Sequence, residues 1–234
     1  MVKKWMIAGI VLGVASWSAQ AQEHEIEVEL GYASRYVGEG IDYAPDADGI
    51  FFSELAFGIE PVTLGTLFLQ GINDSYNEVN VYLEYGLEWD VAAAYAGVQF
   101  LTYPAGDEDA DSWEAFVGGE VEVLGLATVY GEYFYDFDDV DGGFIEIGME
   151  TEIPQPVADL TITPYVQLGV DAGYVSGTRT LAENNVDIGV NVAWAMTDAV
   201  ELFGGVHHSF ALTNLDREGE GDVSWAHAGI GLAF

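Results

Sequence analysis

Two histidines near the end of the chain are the side chains best suited to bind a transition metal. His207 and His227 share one face of two predicted neighbouring strands, and a hairpin centred near Arg217 brings them almost opposite each other. Glu29, on the strand expected to close the sheet, could lie nearby, and two imidazoles with a carboxylate can hold zinc or copper. A pair of solvated wall histidines is the alternative interpretation.

Acidic side chains are the second chemical feature. The run from Asp136 to Gly143 places carboxylates at alternate positions, a spacing that suits Ca²⁺, but it lacks the downstream Glu of an EF-hand loop. Diffuse binding of counter-ions is the alternative. Cysteine is absent, which excludes thiol chemistry, and no cofactor is predicted.

The elements that carry these residues are predicted to be long strands, because apolar and polar side chains alternate along most of the chain. In the first run Ile26, Val28 and Leu30 share one face, while Glu27 and Glu29 share the other. Most of the runs have the length of a tilted membrane-spanning strand, about 9 to 11 residues. Twelve such runs are predicted, at about residues 25–32, 50–60, 64–72, 79–89, 91–103, 112–123, 126–137, 144–153, 160–174, 186–196, 200–212 and 223–234.

The connections between these runs alternate between short and long. Tight turns such as Leu124-Gly125 alternate with longer acidic links such as residues 37–49 and 213–222. An even strand count with short turns at one end and long loops at the other is typical of outer-membrane barrels. The sequence therefore predicts an all-β fold, a transmembrane antiparallel up-and-down barrel over residues 22–234, in the outer membrane of a Gram-negative-type bacterium.

The beginning of the chain predicts export. Lys3 and Lys4 precede an uncharged apolar stretch from Trp5 to Trp17, which is shorter than the ~20 residues of a spanning helix. Small residues follow at the positions that a signal peptidase recognises, so residues 1–21 are predicted to be a signal peptide. Without it, three arginines face all forty acidic residues. Such a surface repels nucleic acid, which is excluded as a partner.

Aromatic residues near the predicted strand ends are expected to contact lipid. They form two girdles on the outward register, Trp89, Trp194 and Phe234 at one end and Tyr36, Trp113, Tyr135, Phe137, Tyr174 and Phe210 at the other. The chain then stops on Ile230, Leu232 and Phe234, a pattern that predicts recognition by the outer-membrane assembly machinery. Outer-membrane lipid and that machinery are the predicted partners.

The first hairpin also resembles a known family. The segment from Gly31 to Ile41, followed by Pro45 and the strand that begins at Ile50, is similar to the opening hairpin of the TorF-type family of porin-like outer-membrane proteins. Glu39 stands where that family usually has Arg, and Val37-Gly38 replaces an aromatic pair. The resemblance implies a porin-like barrel and assigns no functional residue.

The inward register predicts an acidic interior with only Arg35 as a cation. Uncompensated buried charge is costly, so the interior should hold water, and inward glycines such as Gly118 and Gly148 should widen it. The predicted function is a porin-like, cation-favouring passage for small solutes, with a non-conducting scaffold whose acidic loops bind cations or an envelope partner as the alternative. The predicted pore-lining residues are Glu27, Glu29, Glu54, Glu84, Glu120, Glu132, Glu146, Glu150, Asp171 and Asp187.

Lipid hydrolysis is a further alternative, raised by His207-His208-Ser209. A Ser–His pair needs an orienting third group to act as nucleophile and base. His207 and Ser209 are predicted to face the interior rather than lipid, and the final strand offers no Asn as that third group. The sequence therefore does not predict an enzyme.

Overall fold

Twelve antiparallel strands close into a barrel. The computed structural model describes residues 25–105, 111–153, 155 and 159–234, so the predicted signal peptide lies outside the described residues. The barrel strands are β1 (Glu25–Ala33), β4 (Ile50–Ile59), β5 (Val62–Gly71), β6 (Asn77–Trp89), β7 (Ala92–Thr102), β8 (Ser112–Val123), β9 (Ala127–Asp136), β10 (Gly142–Glu150), β11 (Leu160–Ala172), β12 (Ala182–Thr197), β13 (Val200–Ala211) and β14 (Val223–Ala233). The predicted fold class is confirmed.

Three short elements lie in the connections. The link from β1 to β4 contains a small hairpin, β2 (Val37–Gly38) and β3 (Ile41–Asp42), and the link from β13 to β14 contains a six-residue helix, α1 (Thr213–Glu218). In the part of the chain that the structure describes, no helix is long and apolar enough to cross a membrane. We call these two links L1 and L6, and the end of the barrel where they lie the loop end.

The first and last strands pair and close the barrel. Val28 is opposite Leu232 and Leu30 is opposite Ile230, while the amide of Phe234 donates to the carbonyl of Ile26 at 2.9 Å. Every other barrel strand pairs with its neighbour in the chain, so each connection is a simple hairpin. The described barrel therefore has no unpaired strand edge, as a sheet in lipid requires.

An apolar belt covers the outside of the barrel. Leu83, which is 49% exposed, Leu55, Val117 and Ile188 point outward from strands spread around the wall. A closed antiparallel barrel with this belt is the architecture of β-barrel proteins of the bacterial outer membrane. The girdle prediction is wrong at two positions, because Tyr36 and Tyr174 turn inward and donate hydrogen bonds to Glu78 and Glu114.

The interior of the barrel, or lumen, is partly packed rather than uniformly wet. Ile50, Phe52, Leu69 and Phe203 form a buried apolar cluster inside the wall of β4, β5 and β13. A second cluster, Phe116, Phe134 and Phe144, lies on β8 to β10. The sequence did not predict these clusters, because single inward apolar residues are dispersed among inward acids.

The inward glycines make room for rings instead of widening the lumen. A Cβ at Gly118 would collide with the ring of Tyr95, and one at Gly148 would collide with the ring of Tyr130. The ring of each tyrosine lies over the glycine that is its cross-strand partner. The prediction that these glycines widen the passage is therefore wrong, since neighbouring rings occupy the space.

Candidate functional site

L1 folds into the barrel. Its residues from Val37 to Gly40 are buried, although they lie in a connection between two strands. The backbone turns sharply at Glu39 and Gly40, which both have positive φ (48° and 77°). We call residues 36–43, which include this turn, the L1 hairpin.

Contacts with opposite walls hold the L1 hairpin in place. On one side Val37 packs against Val223 and Trp225 of β14, and the side-chain amide of Asn184 donates to the backbone carbonyl of Glu39 at 2.6 Å. On the other side the Tyr36 hydroxyl donates to Glu78 Oε1 of β6 at 3.2 Å. The hairpin therefore crosses the lumen and narrows it at the loop end.

L6 covers the L1 hairpin on the side of β11 to β13. Leu215 of α1 is fully buried, and a Cβ at Gly40 would lie 2.8 Å from its Cδ1 atom. Asn214 donates to Asn184 Oδ1 at 2.8 Å. This contact links α1 to β12, whose Asn184 also donates to the carbonyl of Glu39. L1 and L6 thus occupy this side of the lumen together.

The other side of the lumen holds a cavity of about 390 Å³. We call it the loop-end cavity. The L1 hairpin forms one wall, and strands β4 to β9 form most of the rest. Its lining is acidic, aromatic and apolar, and comprises Glu29, Tyr36, Gly38, Glu39, Tyr43, Phe52, Glu54, Leu67, Tyr76, Glu78, Asn80, Tyr82, Gln99, Leu101, Tyr103, Glu114, Phe134, Val140 and Tyr174.

Tyrosine hydroxyls in the cavity donate to carboxylates. Tyr43 donates to Glu39 Oε2 at 2.6 Å, and Tyr174 donates to Glu114 Oε1 at 2.6 Å. Desolvation of the buried carboxyl group raises the pKa of Glu39 to about 8, although the hydrogen bond from Tyr43 opposes that rise. Glu39 is therefore largely protonated near neutral pH when nothing positive lies beside it.

Further along the barrel, tyrosines bridge strands that are not neighbours. Tyr82 crosses Gly65 to donate to Glu54 Oε1 at 2.7 Å, and Tyr95 crosses Gly118 to donate to Glu132 Oε2 at 2.6 Å. The same geometry joins Tyr130 to Gln167 at 3.0 Å across Gly148, and Tyr165 to His207 at 2.8 Å across Gly189. These four tyrosine bridges reinforce the inner wall.

The predicted pore-lining residues have different environments. Glu29 and Glu54 line the loop-end cavity. Glu84 and Glu132 are buried on the inner wall, and each has one carboxylate oxygen without a hydrogen-bond partner among the described residues. Their role in lining a pore stays a prediction, as does that of the other inward carboxylates Glu27, Glu120, Glu146 and Glu150.

Asp171 and Asp187 are buried and hydrogen-bonded, and the role of Asp187 in lining a pore stays a prediction. Asp171 is 0% exposed, and its carboxylate accepts the backbone amides of Gly173, Val175 and Ser176 at 2.9 to 3.2 Å. Asp187 accepts the side-chain amide of Asn185 at 2.8 Å within a buried network. We interpret Asp171 as an anchor for its loop rather than a pore-lining group, because its oxygens are engaged by backbone donors.

Two sequence interpretations about charge need correction. Arg35 does not face the lumen: its side chain is 50% exposed and pairs with Asp42 at 2.8 Å. Asp136 turns inward and accepts the amides of Asp138 and Val140, so it closes its own loop. Among the described residues, no group of three His, Cys, Asp or Glu side chains is arranged to hold a metal ion.

The two predicted metal ligands do come together. His207 Nε2 lies 3.0 Å from His227 Nδ1, and the rings stack with centroids 5.0 Å apart. The contact is that of a hydrogen bond between imidazoles, and Tyr165 occupies the other nitrogen of His207. The metal site at His207 and His227 stays a hypothesis without a third ligand in the described part of the barrel.

The described residues do not form the catalytic triad that the lipid hydrolase alternative would need. His207 and Ser209 face the lumen, as predicted, while His208 faces outward and lies 2.7 Å from Ser224 Oγ. Within the described part of the barrel, His208 makes no hydrogen bond to a carboxylate or amide that would orient it. An oriented imidazole is what a serine nucleophile requires.

The sequence interpretation missed Glu39, Glu78, Tyr43, Tyr76 and Tyr103 as site residues. Glu78 could have been found, since it shares the parity of Asn80, Tyr82 and Glu84 and lies one residue before the predicted run. The tyrosines lie in or beside loops, where no periodic pattern indicates direction.

Several solved structures that share this fold are outer-membrane porins and channels. A KdgM porin in complex with disordered oligogalacturonate aligns with a TM-score of 0.58 and 9% identity, over 90% of this chain and 99% of that chain. A NanC porin aligns at 0.53 and 12%, over 89% and 98%. The COG4313 outer membrane channel from Pseudomonas putida F1 aligns at 0.51 and 13%, over 93% and 98%. Identities this low establish a shared fold.

No protein-family model matches the chain, and no curated protein matches it in sequence. The TorF-type resemblance therefore stays a prediction. The closed barrel, its apolar belt and these structural neighbours define the chain as a porin-like outer-membrane β-barrel.

Proposed function

We propose that this barrel is a channel that favours small cations over anions. The sign of charge on the inner wall carries the proposal. Carboxylates such as Glu29, Glu54, Glu84 and Glu132 face the lumen, while the three arginines of the described residues lie outside it, two of them paired with Asp42 and Asp141. A confined negative potential concentrates cations and excludes anions.

The same charge argues against one ligand suggested by a structural neighbour. The KdgM complex holds oligogalacturonate, which is a polyanion. Among the described residues, the lumen of this barrel offers no arginine or lysine to pair with such a ligand. The fold is thus shared, while the wall chemistry supports a solute of opposite charge.

The test is the reversal potential of refolded protein in a planar bilayer under a KCl gradient. We expect a reversal potential near that of potassium, and a shift toward zero when Glu84 and Glu132 are both changed to Gln. A matched control is Glu220→Gln in L6, an exposed carboxylate outside the lumen. Anion preference at low salt would disprove the proposal.

A non-conducting scaffold is the second candidate, and the L1 hairpin favours it. The hairpin and the packed clusters around Phe52 and Phe134 fill much of the lumen. In this case the acidic loops would bind cations or an envelope partner. Channel recordings distinguish the two: a barrel that is fully inserted and conducts no ions supports the scaffold.

A further inference from the structure

The loop-end cavity is built to accept hydrogen bonds. Glu78 already accepts from Tyr36, Tyr76 and Asn80, with Asn80 Nδ2 at 2.8 Å from its Oε1 atom. Glu114 accepts from Tyr174 and Gln99. Since a carboxylate offers about four acceptor positions, these groups keep capacity after the donors of the wall are used.

One buried acceptor in this wall has no partner. Asn80 is 4% exposed and lines the cavity, and its Oδ1 atom makes no hydrogen bond with any described residue. The Nδ2 atom of Asn80 donates to Glu78. Flipping the side-chain amide would pair neither atom fully, because Nδ2 would then lose its acceptor. A buried acceptor of this kind costs free energy unless a donor reaches it.

Aromatic rings complete the lining on the side of the L1 hairpin. Tyr36 lies 5.6 Å from Tyr43 and 5.6 Å from Tyr76 between ring centroids, and Tyr76 lies 6.4 Å from Tyr103. Ring faces attract organic cations, most strongly where water is excluded. Leu67 and Leu101 supply an apolar surface in the same cavity.

These features restrict the ligand. Among the described lining residues there is no Lys, Arg or His, so an anion would find no counter-charge. A quaternary ammonium has no N–H to satisfy Asn80 Oδ1, and a neutral alcohol would leave the carboxylates uncompensated. A bare divalent ion would need a larger cluster of charged ligands, and the described residues hold no group of three His, Cys, Asp or Glu side chains that could bind one. A primary ammonium supplies charge and three donors together.

We propose that the loop-end cavity is a binding site for a small primary amine in its ammonium form, with the nitrogen placed between Glu78, Asn80 Oδ1 and Glu114 and the hydrocarbon part against Leu67 and Leu101. A volume of about 390 Å³ suits a ligand of this size. Transport of such a ligand rests on the proposed function as a channel. Binding of the ligand requires only the closed barrel.

The experiment is titration calorimetry on refolded, heat-modifiable barrel at about 0.1 M KCl, where distant charges are largely screened. The probes are n-butylammonium, tetramethylammonium, n-butanol and butyrate. We expect saturable binding of one n-butylammonium per barrel, binding of tetramethylammonium weaker by about tenfold or more, and none for the alcohol or the carboxylate, since only the primary ammonium combines a positive charge with N–H donors. Equal binding of the two ammonium ions, or no saturable binding of n-butylammonium, would overturn the site.

Variants locate the site on the wall. Glu78→Gln should weaken n-butylammonium binding by about tenfold or more, while the exposed Glu220→Gln should leave it unchanged. Equal weakening by both would indicate diffuse counter-ion binding and reject the site. If Glu78→Gln fails to fold, the probe series on the unaltered protein still decides. Channel recordings separate the two proposals, because binding without conductance rejects only the channel, and conductance without binding rejects only the site.

Discussion

The hydroxyl of Tyr95 on β7 lies 2.6 Å from Glu132 Oε2 on β9, although β8 runs between them. The bridge is possible because β8 places Gly118 directly opposite Tyr95, and the ring lies over the bare backbone. A ring over a glycine protects its strand pairing and pins the register. The tyrosine bridges therefore stabilise the wall and hold inner carboxylates in fixed positions.

This geometry predicts a large effect from one methyl group. Gly118→Ala places a Cβ against the Tyr95 ring and should lower the free energy of unfolding by about 1–3 kcal/mol, as overpacking does. Gly131→Ala on β9 is the matched control, since its Cβ would meet nothing closer than 3.5 Å. Urea unfolding in lipid vesicles measures both. In a Tyr95→Ala background the penalty at Gly118 should largely disappear, and a penalty that persists would contradict the ring contact.

How far the sequence predicts this protein depends on periodicity. The strands were predictable because lipid outside and acids inside impose a two-residue repeat on Val28, Glu29 and Leu30 alike. The L1 hairpin was not, because its position depends on contacts with residues far along the chain, such as Asn184 and Trp225. Inward glycines were visible, but only the cross-strand register shows that Tyr95 covers Gly118.

A second prediction concerns the outward face of β6. Leu83 lies at the middle of the strand, opposite Leu64 and Val98, and points out of the barrel. Leu83→Arg should cost about 2–4 kcal/mol, the penalty for a cation near the bilayer midplane. Leu83→Met is the control for loss of shape, and vesicle unfolding by guanidinium is the measurement. A cost equal to that of Met would contradict the placement of Leu83 in lipid.

The end of the chain should govern insertion. Phe234 exchanges backbone hydrogen bonds with Ile26, so the last residue belongs to the seam that closes the barrel. Phe234→Asp, or deletion of Phe234, should leave export intact and sharply reduce heat-modifiable barrel in the membrane, because the terminal pattern Ile230, Leu232, Phe234 is predicted to be read by the assembly machinery. Phe234→Trp keeps an aromatic ring and should insert normally. Normal insertion of the Phe234→Asp variant would contradict the prediction that the assembly machinery recognises Phe234.

Glu39 should make the barrel less stable as pH rises. Burial raises the pKa of Glu39 to about 8, so its favourable contribution is fully present below the ordinary value near 4.5 and is lost as pH increases through about 8. The groups that face it are Tyr43, which donates to it, and the acids Glu78, Glu114 and Asp187.

Glu39→Gln removes this titration. Other acids titrate as well, so the measurement is the difference between the two proteins in free energy of unfolding from about pH 5 to pH 9. The advantage of the unaltered protein should shrink over that range. A difference that does not change with pH would show that Glu39 is ionised throughout.

The last prediction is that ion selectivity weakens with salt. In the proposed channel, inward carboxylates such as Glu84 and Glu132 would set a negative potential in the lumen. The Debye length falls from about 10 Å at 0.1 M to about 3 Å at 1 M salt. A potential that extends across the passage at low salt is confined to the wall at high salt, so chloride is excluded less. The reversal potential is measured twice with the same KCl ratio across the bilayer, once at a low and once at a high mean concentration. The value should be larger at the low concentration. In Glu84→Gln with Glu132→Gln that difference should be smaller, whereas Glu220→Gln should retain it. A salt-independent reversal potential would mean that selection occurs by close contact at a narrow point such as the L1 hairpin, and not through the field of the wall.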